Sequence, residues 1–111
     1  MTASWAVTPE KVLAVVAKIV ETAAPAKVIL FGSYTRGTLH PHSDLDIMVV
    51  MNDNSVHPRK ESVRIRRALK GIMMPMDIVV VSLEKLAEYS EIPGLIYREA
   101  LRTGRIVYDA P

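Results

Sequence analysis

Apolar positions along this chain recur with two different periods, and the switches between them lay out a series of helices and strands. After Thr8, Val12, Leu13, Val15, Val16, Ile19 and Val20 fall on one helical face, with Lys11, Lys18 and Glu21 opposite. Thr8 offers a capping hydroxyl, Pro9 a rigid first position and Glu10 a first-turn acid, while Pro25 stops the helix. Lys27 to Phe31 (KVILF) is a short apolar run that reads as a buried strand, followed at once by Gly32-Ser33 and a helical turn. Residues 38–43 read as a loop around Pro41, and Asp44 to Met51 (DLDIMVVM) as a second strand. A turn-rich stretch from Asn52 to Pro58 leads into a helix over 59–72, with Ile65, Ala68, Leu69 and Ile72 on its buried side. Met76 to Val81 (MDIVVV) is a third strand. Ser82 caps a short helix through Tyr89, Pro93-Gly94 opens another that Gly104 ends, and Arg105 to Tyr108 closes as a brief strand. The order predicts α/β layering around one small sheet in a single domain spanning residues 1–111. Strand order and direction do not follow from the pattern.

Composition narrows the classes. Half of the 111 residues are apolar and 23% are charged, an ordinary globular balance that excludes disorder. With 14 basic against 12 acidic residues, the net charge of +2 is too mild to point to nucleic acid. The absence of cysteine rules out a disulfide framework and a thiolate metal site, and fits a reducing cytoplasm. No apolar run approaches the ~20 residues that span a bilayer. The first apolar stretch is broken by charges and has no basic segment before it, unlike a signal peptide.

The acids that interrupt the strands carry the candidate chemistry. Side chains two apart on a strand share a face, so Asp44 and Asp46 are neighbours at the start of an otherwise apolar strand. Asp77 holds the second position of the next apolar strand, and pairing of the two would let all three carboxylates converge. Two such charges ~4 Å apart repel by about 1 kcal/mol in water and about 4 at an effective dielectric of 20. Converging acids therefore need a cation between them or one must protonate, while acids at strand ends that do not converge simply face solvent. Oxygen-only ligands suit Mg²⁺ or Mn²⁺. Upstream, a strand that ends in Gly32-Ser33 before a helical turn presents free N–H groups and the positive end of a dipole, a phosphate site. A P-loop is excluded because Thr38 and Leu39 follow Gly37 where Lys and Ser or Thr are required.

Gly32-Ser33, ten intervening residues, Asp44-x-Asp46 and then the strand-borne Asp77 form a strict combination. GSYTRGTLHPHSDLDIMVV resembles the signature of the DNA polymerase beta-like nucleotidyltransferases, and within them the stand-alone minimal nucleotidyltransferases. The resemblance implies the nucleotidyltransferase fold, a small mixed sheet with helices packed on it. It implies that Gly32 and Ser33 hold the triphosphate, with Arg36 assisting or bracing the turn. Asp44, Asp46 and Asp77 would be both the ligands of two Mg²⁺ ions and the catalytic acids, Asp77 helping to activate the acceptor hydroxyl. The larger relatives carry acceptor-binding domains, for which this chain has no counterpart, so its acceptor side is expected to be open or completed by another chain. In the resembled family the companion is a helical HEPN toxin, and the family's antitoxins transfer AMP from ATP to a toxin tyrosine. That activity is the expectation here. Three alternatives stand beside it: an antitoxin that acts by binding alone, a nucleotidyltransferase acting on a small molecule or RNA, and a nucleotide-sensing adaptor.

Other features change less. His40 and His42 give two imidazoles where a zinc site wants three protein ligands. Arg59, Lys60, Arg64, Arg66, Arg67 and Lys70 read as a solvated helix face or a surface for an acidic partner or RNA phosphates. With 5% aromatic residues, platforms for stacked bases are scarce, although Trp5 and Tyr34 could each stack on one. Met73, Met74 and Met76 read as loop and core filler.

Overall fold

The fold is known from a computed structural model that describes residues 6–37 and 44–111, without the side chain of Arg36. Trp5, His40, His42 and the loop expected over 38–43 lie outside the described residues. The elements are α1 (Pro9–Ala23), β1 (Lys27–Phe31), α2 (Ser33–Arg36), β2 (Leu45–Met51), α3 (Pro58–Ala68), β3 (Met76–Ser82), α4 (Leu83–Tyr89), α5 (Ile96–Thr103) and β4 (Arg105–Asp109). The four strands form one sheet in the order β3-β2-β1-β4. β1 runs antiparallel to both β2 and β4, whereas β2 and β3 are parallel and joined by α3. This is the mixed α/β architecture expected.

The two faces of the sheet carry separate cores, because successive strand residues point to opposite sides. On one face Val28, Leu30, Leu45, Ile47, Val49, Ile78 and Val80 meet Val12, Val15 and Ile19 of α1 and Ile65 of α3. On the other, Ile29, Phe31, Met48, Val50 and Val81 meet Leu86 of α4 and Ala100 of α5. With both faces covered, β2 is continuously buried from Ile47 to Met51, which is why it reads as an unbroken apolar run. Gly104 lets α5 turn into β4 against the sheet: a Cβ there would strike the carbonyl oxygens of Ala100 and Leu30.

Local signals explain most boundaries. Thr8 Oγ1 accepts from the Lys11 N–H at 3.2 Å, and Pro9 takes the first helical position. Ser82 Oγ accepts from the Lys85 N–H at 3.1 Å and donates to Asn54 Oδ1 at 2.7 Å, so one cap also ties β3 to the loop before α3. The N-cap of α3 is His57, whose Nδ1 accepts from the Lys60 N–H at 3.4 Å, a role its sequence does not advertise. α3 ends at Ala68, short of the expected residue 72, because the chain turns through Leu69 and Lys70 to Gly71 at φ 108.

Leu13, expected on the buried face of α1, is 72% exposed. The stripe that reaches the sheet is Val12, Val15, Ile19 and Ala23, and Leu13 lies about 100° around the helix from Val12. The apolar arc is wider than the contact it makes.

α1 stops with Ala24 in the left-handed region at φ 46 and ψ 55, its N–H donating to Val20 O at 3.0 Å. Alanine is strained there by about 1 kcal/mol where glycine is not. Ala24 is exposed and its side chain buries nothing. Ala24→Gly is therefore expected to raise stability by about 0.5–1 kcal/mol, read as a higher urea midpoint at unchanged slope. A lower midpoint would contradict the strain.

Candidate functional site

The site is assembled where β1 ends and where β2 and β3 begin. Parallel pairing sets Leu45 opposite Met76, Asp46 opposite Asp77 and Ile47 opposite Ile78. Antiparallel pairing sets Phe31 opposite Asp46. One row across the sheet thus reads Phe31, Asp46, Asp77, and residues in a row share a face. Neighbouring strands lie ~4.8 Å apart, so Asp46 and Asp77 are adjacent carboxyl-bearing positions. A slip of one residue would have put Asp77 on the other face. Asp44 stands one residue before β2, where the N–H of Leu45 already donates to Pro75 O at 2.9 Å, continuing the ladder towards β3.

Exposure grades across this group. Asp44 and Asp77 are exposed, and Asp46 is half-buried beside the buried Phe31. Among the described residues no three acidic or histidine side chains already stand in a metal-holding group. The register aligns two of the expected acids, and the third stands one residue before β2 at the same edge. Carboxylates on adjacent strands repel until a cation screens them. The donor set is nonetheless oxygen-only and fits a hard divalent cation such as Mg²⁺.

Gly32 links the acids to the turn above them. Its φ of 77 and ψ of −150 lie in a region essentially reserved for glycine. A Cβ there would collide with Asp46 Oδ2, so the half-buried carboxylate packs directly over the glycine backbone. The turn is held by two further bonds: Thr35 Oγ1 donates to Gly32 O at 3.0 Å, and the Gly37 N–H donates to Ser33 O from a residue at φ 70. Sequence reasoning passed over Thr35. A hydroxyl three residues after a turn-forming glycine was the available signal.

Of the remaining expected residues, Ser33 opens α2, next to Gly32. The backbone of Arg36 ends α2, and its side chain lies outside the described residues. Tyr34 packs against the core on the α1 side, with the Arg105 guanidinium over its ring at 5.6 Å, so the ring is already engaged. Met74 is core filler, as read, whereas Met73 is 44% exposed. No helix among the described residues is long and apolar enough to cross a membrane.

Comparison with known proteins bears on the family and the fold. The family model described as "Polymerase beta, Nucleotidyltransferase" matches residues 15–111. No curated protein matches the chain in sequence. Among solved structures, a candidate nucleotidyltransferase from Sulfolobus solfataricus is similar with a TM-score of 0.62 at 17% identity, covering 90% of this chain and 78% of that one. A toxin-antitoxin crystallised with AMP-PNP gives 0.54 at 21% identity, covering 87% and 73%. A mutant of the toxin-antitoxin MntA-HpeT gives 0.52 at 21% identity, covering 94% and 74%. At these identities the likeness is one of fold.

Proposed function

The chain belongs to the polymerase beta nucleotidyltransferase family, and on that footing we propose that it transfers a nucleoside monophosphate, AMP from ATP, to a protein partner in a magnesium-dependent reaction. The observation that carries the reading is the row that sets Asp46 opposite Asp77, with the Asp46 carboxylate lying over Gly32. Acids and phosphate turn then share one edge of the sheet. The toxin-antitoxin structures of like fold, one of them with AMP-PNP, support a minimal nucleotidyltransferase acting as an antitoxin with a toxin as its partner. That the toxin is helical and of HEPN type follows from the family resemblance alone.

In this reading Gly32 and Ser33 bind phosphate oxygens of the nucleotide through backbone N–H groups and the Ser33 hydroxyl. Glycine at position 32 is required because the phosphate, like the Asp46 carboxylate, must approach bare backbone. Asp44, Asp46 and Asp77 would hold the Mg²⁺ ions, which when bound supply Lewis-acid neutralisation of the phosphate charge. Asp77, the exposed member of the row, accepts the proton of the acceptor hydroxyl as its oxygen attacks the α-phosphorus. The bond from that phosphorus to the bridging oxygen breaks, and pyrophosphate leaves. The protein's own contribution is position and electrostatics. Arg36 braces the turn or meets phosphate.

The test is to incubate the protein with ATP labelled at the α-phosphate, Mg²⁺ and a purified HEPN-type helical toxin. Label is expected on a tyrosine of the toxin, and chelation of Mg²⁺ is expected to abolish it. Neutralisation of the toxin without any label would replace this reading with an antitoxin that acts by binding. Mg²⁺-dependent ATP binding with no transfer would replace it with a nucleotide sensor.

A further inference from the structure

The helix joining the two parallel strands is charged in a way that neither the fold nor the transfer chemistry uses. From Arg59 to Lys70 the chain carries Arg59, Lys60, Arg64, Arg66, Arg67 and Lys70 against the single acid Glu61. The whole chain has a formal charge of only +2, so this basic helix rides on an otherwise acidic body. Five of the six lie on α3 and Lys70 just past its end. At about 100° per residue those five cover roughly half the helix, away from Ile65, which is buried on the sheet.

Of these six, only Arg64 has an acidic partner among the described residues, Glu61 on the same helix. Lys60 and Arg64, and Arg64 and Arg67, are like-charged neighbours one turn apart, and each such pair opposes the helix by about 0.2–0.5 kcal/mol. A face kept only for solubility would mix signs. In the middle of the cations stands Val63, 43% exposed, on a shallow groove lined by His57, Arg59, Lys60, Val63, Arg64 and Arg67. An apolar side chain ringed by cations of which only Arg64 has an acidic partner has the layout of a small interface core within a polar rim.

We infer that the exposed face of α3 docks an acidic amphipathic segment of a protein partner, with Val63 meeting its apolar stripe. The inference rests on the proposed transfer reading where it takes that partner to be the nucleotide acceptor. Complementary charge selects acid. Val63 selects protein over RNA, since a phosphate backbone gains nothing from valine, no Phe, Tyr or Trp lines this groove for base stacking, and its one imidazole, His57, is tied down as the cap of α3. The C-terminal end of α3 leads into the start of β3 and Asp77, so a partner laid along α3 reaches the end of the sheet at which the acids stand, from the face opposite them.

The probes are a fluorescent helical peptide with glutamates flanking a leucine stripe, and a fluorescent single-stranded oligouridylate of equal charge. Both are titrated at 0.15 M salt against the whole chain, followed by anisotropy. The peptide is expected to bind at least tenfold more tightly than the RNA. Joint replacement Arg59→Gln, Lys60→Gln and Arg67→Gln should weaken the peptide at least tenfold. Val63→Ser should weaken it about threefold or more while leaving RNA binding unchanged. Oligouridylate bound as tightly as peptide, with Val63→Ser silent, overturns the proposal in favour of a nucleic-acid surface. Peptide binding equal in the parent and the triple variant reduces the face to solvation. Calorimetry with Mg²⁺ and a non-hydrolysable ATP analogue separates the two readings. The triple variant should keep the parent's nucleotide affinity, and failure of the parent to bind nucleotide would end the transfer reading while leaving the peptide result intact.

Discussion

Asp46→Asn is expected to reduce nucleotidyl transfer at least about a thousandfold while leaving the fold within about 1 kcal/mol of the parent. A thousandfold loss corresponds to about 4 kcal/mol of transition-state stabilisation, reasonable for removing a charge that holds the catalytic cation. Stability behaves differently because Asp46 sits opposite Asp77 on the neighbouring strand. Two carboxylates there repel, by about 1 kcal/mol if screened as in water and more in a drier setting. Asparagine keeps the shape that fits over Gly32 and removes that repulsion. Thermal melts and label transfer on the same preparation make the comparison. Transfer within tenfold of the parent would remove Asp46 from the catalytic group, and an unfolded variant would make its role structural.

Gly32→Ala is expected to damage both stability and transfer. The backbone at φ 77 and ψ −150 disfavours any side chain, and the added Cβ meets Asp46 Oδ2. Strain and overpacking together should cost about 2–4 kcal/mol. Relief by displacement of the carboxylate would move the group that the proposed chemistry needs, lowering transfer at least about a hundredfold. Gly37→Ala is the control. Gly37 has a similar φ of 70, yet among the described residues a Cβ there meets nothing within 4 Å, so backbone strain of about 1–2 kcal/mol is its expected effect. Equal loss of transfer in the two variants would show that contact with Asp46 is irrelevant.

Both predictions use contacts of differing legibility. The Asp44-x-Asp46 spacing was readable because strand alternation is a local property, and Gly32-Ser33 was readable because a glycine after a buried strand marks a special turn. The collision between a Cβ at 32 and the carboxylate at 46 was not, since it depends on antiparallel pairing that brings together residues distant in the chain. The His57 cap escaped notice because imidazole nitrogen seldom plays that part. Leu13 was misplaced because periodicity gives the direction of a helix face but not the width of what covers it.

By itself the sequence determined the kind and order of the elements, the starts of α1 and α4 at Thr8 and Ser82, and the acids and glycine turn that define the candidate chemistry. These are written in local spacing, where propensity, capping and alternation act over a few residues. Tertiary structure decided the strand order β3-β2-β1-β4, and with it that Asp77 stands beside Asp46 on one face of the sheet. Register is a choice between rows one residue apart, and burial of Ile78 and Val80 on the face with α1 and α3 makes that choice. A carboxylate is thereby aimed by the apolar residues around it.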